Sequence, residues 1–232
     1  MTGVTNVCII DLETTGLDPE KDNVIELGAI LYSVQRQTIL EQFSVLFGVK
    51  ENPQEAINKI NAQATWEGSD LEFSAKDILY GFIERSDYFI AHNAEFDKQW
   101  PIFSNTEIPW LCTYSDFIWP HNDKPTSLIN TCLNHGVAVT KAHRALTDCQ
   151  LIAELFDRTS DLQELFKAAI ARSQEPVYRV IANVNFDNRD LAKAAGFHWD
   201  SGTKRWYKDL KESDLAVQSK GWEFEHTKTY IP

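Results

Sequence analysis

At 232 residues and 43% hydrophobic content, the chain can form one large domain, or one domain and a smaller one. It has no uninterrupted apolar run long enough to span a bilayer. Its start lacks a basic stretch leading into an apolar run and a cleavage site, so no membrane span and no signal peptide are expected, and a cytoplasmic location is. A net charge of −12 excludes a strongly basic nucleic-acid binder, but not an enzyme that handles a strand end through bound metals and a few cations.

The first segments read as strands over 5–11, 23–33 and 38–46. The apolar run Val7-Cys8-Ile9-Ile10 leads into Asp11-Leu12-Glu13-Thr14-Thr15-Gly16-Leu17. Residues two apart on a strand share a face, so Asp11 and Glu13 present paired carboxylates at the end of a core strand. Such a pair is costly unless a cation neutralises it, and oxygen-only donors suit Mg²⁺ or Mn²⁺. Residues 53–61 read as a short helix or turn. The stretch Leu71 to Ile83 reads as an amphipathic helix, with apolar positions 71, 75, 78, 79 and 82.

A strand over 87–92 then ends in His92-Asn93, and a helix over 95–103 would carry Asp97 in its first turn. A short strand near 109–113 and helices near 114–119 and 126–135 follow. The next cluster is His143-Arg144-Ala145-Leu146-Thr147-Asp148. Apolar positions 145, 149, 152, 153 and 156 predict a helix holding Asp148. Positions 143 and 148 are about 140° apart on a helix. His143 is therefore placed on the preceding loop, where it can act as a general base. Taken singly, Asp97 reads equally as a helix-start carboxylate, Asp148 as a solvated residue and His143 as a loop residue. A helix near 161–172 closes a mixed sheet flanked by helices. Cys8, Cys112, Cys132 and Cys149 are scattered, show no metal spacing, and predict reduced core thiols.

Residues 173–176 read as a linker, separating a domain over 1–172 from a small one over 177–232. The small domain is expected to be β-α-β-α-β: a strand over 177–186, a helix over 189–195 stopped by Gly196, a strand at 206–208, a helix over 213–219 and a strand over 222–227. Residues 1–175 hold 13 basic and 26 acidic side chains, whereas residues 176–232 hold 9 and 8. Trp199, Trp206 and Trp222 fit the core of a small domain. The alternative is a stacking platform for single-stranded nucleic acid, made by Trp199 and Trp206 beside Lys204, Arg205 and Lys208. The run Leu191 to Asp200, followed by Lys204 to Tyr207, resembles a small module of unknown role in plasmid- and phage-associated DNA-processing proteins.

The three N-terminal clusters together resemble the motifs of the DEDDh 3′→5′ exonucleases of the ribonuclease H-like superfamily. The matching segments are Asp11 to Gly16, His92 to Asp97, and His143 with Asp148 at the H-x-x-x-x-D spacing. Asn23 to Ala29 resembles the family's second strand, and Thr126-Ser127-Leu128 the helix before its third motif. The pattern is nearest to the DNA polymerase III epsilon-subunit and exodeoxyribonuclease X branches, over roughly residues 5–160.

The resemblance implies an α/β, ribonuclease H-like five-stranded sheet and hydrolysis at DNA 3′ ends to nucleoside 5′-monophosphates. It implies that Asp11, Glu13, Asp97 and Asp148 bind two Mg²⁺ or Mn²⁺ and that His143 is the base. Thr14 and Thr15 would hold the strand terminus, Leu17 and Ile57 would pack on the last base, and Asn93 and Phe96 would shape the pocket. It leaves open RNA in place of DNA, and a polymerase-associated subunit in place of a free enzyme.

Overall fold

The structure is a computed structural model that describes residues 3–68, 72–122 and 124–231, and it divides into two compact units, Met1–Ser173 and Gln174–Pro232. In the first unit, β1 (Asn6–Thr14), β2 (Val24–Ser33), β3 (Thr38–Leu46), β4 (Tyr88–Ala91) and β5 (Trp110–Cys112) form one sheet in the order β3-β2-β1-β4-β5. Three neighbours, β3, β2 and β1, pair antiparallel, while β4 and β5 continue parallel to β1. This is the mixed α/β sheet expected. The helices are α1 (Glu55–Asn58), α2 (Ala62–Gly68), α3 (Glu72–Ile83), α4 (Ala94–Asp97), α5 (Leu128–Asn134), α6 (Ala145–Asp157) and α7 (Leu162–Ser173). No helix among the described residues is long and apolar enough to cross a membrane.

Alternation along β1 sorts the core into two layers. Val7 and Ile9 face α6 and α7, in a cluster with Ile30, Tyr32, Ile152, Phe156 and Phe166. Cys8, Ile10 and Leu12 face the other side, with Ala75, Leu79 and Phe82 of α3. All four cysteines are free and buried.

Three expectations need correction in this unit. The helix expected over 95–103 stops at Asp97, and only a 3₁₀ turn follows at Pro101–Phe103. Pro101 has no N–H to continue the helical ladder, and its ring clashes with the preceding turn. No helix forms over 114–119. There the Asp116 carboxylate accepts the Cys112 N–H at 2.7 Å, and this local bond competes with a helical one. The helix α2 went unforeseen, and Leu71 lies outside the described residues.

The second unit contains β6 (Val177–Ala182), α8 (Arg189–Ala194), β7 (His198–Asp200), β8 (Arg205–Lys211), α9 (Glu212–Gln218) and β9 (His226–Ile231). The order along the chain is therefore β-α-β-β-α-β, not β-α-β-α-β. The additional strand β7 has three residues and pairs with β8 across a tight turn, too short to show a period of two. The sheet order β7-β8-β6-β9, antiparallel throughout, is the split βαβ arrangement. Val180, Ala182 and Leu210 pack with Ala192 of α8 and Leu215 of α9, so both helices cover the same face. Gly196 stops α8 with φ +79, a left-handed conformation that favours glycine.

Candidate active site

The face of β1 that carries Val7 and Ile9 continues through Asp11 and Glu13, so the two carboxylates point toward α6. Gly28 of β2 lets α6 approach closely. A Cβ there would lie 2.3 Å from the Leu146 backbone nitrogen and 2.4 Å from the Ala145 carbonyl carbon. Asp148 sits in the first turn of α6. As a result Asp11, Glu13 and Asp148 bring one carboxylate oxygen each within 4.8 Å of one another. Asp97, at the end of α4, is buried, and its carboxylate accepts a hydrogen bond from the Leu12 backbone. Its Oδ1 is buried with no partner among the described residues.

No lysine or arginine pairs directly with these four carboxylates among the described residues. Burial, and then the charges of Asp97, Asp148 and Glu13, raise the Asp11 carboxyl well above its ordinary value. Burial and the Asp148 charge push Glu13 up to about 7. Burial also raises Asp97 and Asp148. Three clustered oxygen donors, destabilised as anions, fit a divalent cation, while Asp97 lies outside that 4.8 Å group and acts on it through its charge on Asp11.

The electrostatics predict the pH response of the metal-free protein. In the unfolded chain these carboxyls titrate near about 4. Between there and the folded value for Glu13 of about 7, the native state holds more protons than the unfolded chain. In EDTA, stability should therefore fall as pH rises from about 4.5 to about 7. The fall should be shallower in Asp11→Asn. Thermal denaturation across that window measures both, and a midpoint that rises equally in both proteins would sink the repulsion account.

A fifth carboxylate has the opposite fate. Glu26 of β2 lies directly across from Glu13 and is buried. Burial pushes its carboxyl up, but hydrogen bonds from Arg144, Ser44 and the Ala145 backbone outweigh this and hold it low. Arg144 grips it with two bonds, Nε at 2.9 Å and Nη2 at 2.8 Å, and the Ala145 N–H adds one at 3.0 Å. The start of α6 is thus tied to β2. The Asp148 carboxylate in turn accepts the Arg144 N–H at 3.1 Å and a bond from the His143 backbone. His143 lies outside the helix, exposed, with φ +63. Glu26 and Arg144 carry no role in the three motifs as the sequence presents them. An acidic residue inside the apolar run of β2 was the signal available.

Gly28→Ala tests whether this close approach sets the site. The added methyl group meets backbone, which cannot swing away, so α6 must shift or the strand must bend. The expected cost is about 1–3 kcal/mol, with weaker metal-induced stabilisation because Asp148 moves away from Asp11. Urea denaturation with and without Mg²⁺ measures it. A variant with wild-type stability and response would show that α6 has room to move.

The remaining expected contacts differ in availability. Leu17 and Ile57 are 79% and 52% exposed, free to meet a ligand. Thr14 and Thr15 are buried, and their hydroxyls are engaged locally. Thr14 donates to the Gly16 carbonyl at 2.6 Å, and Thr15 accepts the Asn23 N–H at 2.9 Å. Asn93 is exposed with φ +75, whereas Phe96 packs half-buried near Trp100. In the second unit Trp199 is exposed, but Trp206 packs against the core and Lys208 donates to the Ala195 carbonyl at 3.1 Å. Arg205 is adjacent to Trp206 on β8 and so points to the other face. Lys204 sits in the turn before it with φ +54. The structure does not gather Trp206 and Arg205 into one platform.

A family model described as an exonuclease matches residues 8–156, and another, described as a domain of unknown function, matches residues 178–225. Over 225 residues the chain is 27% identical to the PolC-type DNA polymerase III of Thermotoga petrophila, covering 88% of this chain and 15% of that one. Over 174 residues it is 33% identical to the DNA polymerase III epsilon subunit of Aquifex aeolicus, covering 68% of this chain and 81% of that one. The chain thus spans only a small part of its PolC-type relatives. A solved structure of exonuclease X in complex with 5′ overhanging duplex DNA shares the fold. Its TM-score is 0.51 at 24% identity, covering 70% of this chain and 99% of that one.

Proposed function

The chain belongs to the exonuclease family, and on that premise we propose that residues 1–172 form a metal-dependent 3′→5′ exonuclease, with residues 177–232 as an accessory domain. The substrate is the 3′ end of a DNA strand, and the product is a nucleoside 5′-monophosphate. The observation that carries this reading is the convergence of Asp11, Glu13 and Asp148, with the buried Asp97 charge acting on Asp11.

These four residues would hold two divalent cations, Mg²⁺ or Mn²⁺. Bound there, the cations supply Lewis-acid stabilisation of the charge that builds on the phosphoryl oxygens. His143 takes a proton from the attacking water. Glu26 and Arg144 fix the backbone from which His143 projects. Leu17 and Ile57 offer apolar surface to the terminal base, and the backbone at Thr14 would meet the terminal hydroxyl. The four free thiols support a reducing, cytoplasmic setting. The epsilon-subunit relative makes a replicative polymerase the partner to test by co-purification.

End-labelled single-stranded DNA, incubated with Mg²⁺, should shorten from its 3′ end one nucleotide at a time and stay intact in EDTA. Matched DNA and RNA oligomers give the sugar preference. Release of the 5′-terminal nucleotide first would overturn the polarity, and faster RNA cleavage would overturn the choice of DNA.

A further inference from the structure

Because α8 and α9 both cover one face of the second sheet, the other face carries no helix of this unit. Strand alternation puts Arg179 and Ile181 of β6, Arg205, Tyr207 and Asp209 of β8, and His198 and Asp200 of β7 on that face. One planar pair stands on that face, with a third planar group tilted 55° beside it. The Arg179 guanidinium lies over the Tyr207 ring, 4.8 Å from its centroid, and the His198 ring lies 6.3 Å from Tyr207 on the other side.

Arg179 is also held at its edge. Its Nε and Nη2 donate to the two Asp209 oxygens at 2.9 and 2.7 Å. A guanidinium fixed in plane by a carboxylate and backed by a ring presents its outer face to solvent without further loss of side-chain freedom. Next to it lies a concavity of about 300 Å³, lined by Arg179, Ile181, Asp200, Thr203, Arg205 and Tyr207. Arg205 makes no ion pair among the described residues.

We propose that this open sheet face binds a single nucleic-acid strand, stacking a base on the Arg179–Tyr207 pair and setting a phosphate against Arg205. Two features favour this occupant. A fixed guanidinium plane and an aromatic ring are surfaces on which unstacked bases lie, on the same side of a four-stranded sheet that RNA-recognition modules use. Arg205, which lines the concavity and makes no ion pair among the described residues, supplies the cation that a phosphate requires. The contact is on the opposite face from Trp206. It rests on the exonuclease reading only for the identity of the ligand, since binding itself needs neither the carboxylates nor a metal.

The test is equilibrium binding of a fluorescent single-stranded DNA 20-mer to the full chain in EDTA, where no cleavage occurs. Tyr207→Ala and Arg179→Ala should each raise Kd roughly tenfold. Arg205→Ala should raise Kd and flatten its salt dependence. Tyr207→Phe should bind like wild type, because the ring is kept. Circular dichroism of each variant confirms that the unit is folded. With Mg²⁺, Tyr207→Ala should raise KM on long oligomers and leave kcat and short-oligomer KM unchanged.

Unaltered binding in folded Tyr207→Ala and Arg179→Ala overturns the proposal, as does loss of binding in Trp199→Ala but not Tyr207→Ala. Failure of the exonuclease reading looks different, with intact, Tyr207-dependent binding but no hydrolysis with Mg²⁺.

Discussion

Asp11→Asn should abolish hydrolysis and the thermal stabilisation that Mg²⁺ or Mn²⁺ gives the wild type, while the metal-free variant folds at least as stably. The two halves of this result come from one cause. Asp11 is raised by burial and by Asp97, Asp148 and Glu13, so in the absence of metal its charge is a liability. An amide of the same shape removes repulsion and keeps the packing. It also removes a donor oxygen from the group that spans 4.8 Å. Lewis-acid stabilisation is worth several kcal/mol, so the rate should fall by about 10³-fold or more. A ligand that binds only the native state stabilises it, so Mg²⁺ should raise the melting temperature of wild type and not of the variant. Asp148→Asn should behave alike in activity. Cleavage that persists in EDTA would end the metal account.

His143→Ala should lower kcat by roughly 10²–10⁴-fold, the usual contribution of a general base, while keeping the metal-induced stabilisation. The carboxylate donors do not depend on the imidazole, which is exposed on the loop before α6. His143→Gly sharpens the test. His143 has φ +63, a left-handed backbone that costs a side chain energy and glycine nothing. The glycine variant should therefore be as stable as wild type and as slow as the alanine variant. Single-turnover rates with saturating Mg²⁺, beside melting curves, separate chemistry from folding. Near wild-type rates in either variant would pass the proton to another group.

How much of the site was legible varied from residue to residue. Asp11 and Glu13 could be placed on one face because a strand has a period of two and the apolar run before them ends in a turn. His143 could be placed off the helix because a regular helix would separate it from Asp148. Asp97 was assigned to a longer helix than exists, yet its position in the first turn was unaffected, since the error lay beyond it at Pro101.

The five strands of the first unit and the paired carboxylates of Asp11 and Glu13 were legible because each is written in local periodicity and spacing, whereas helix α2 and the non-helical stretch over 114–119 were not. What crosses between elements depends on packing. The grip of Arg144 on Glu26 joins residues 118 apart, and the room for α6 over Gly28 depends on a helix more than a hundred residues later. In the second unit the three-residue β7 exists because β8 is there to pair with it. The side of that sheet on which Arg179, Tyr207 and Arg205 meet follows from strand register and from which face the helices cover. Those are long-range properties, set by packing and not by any local run of residues.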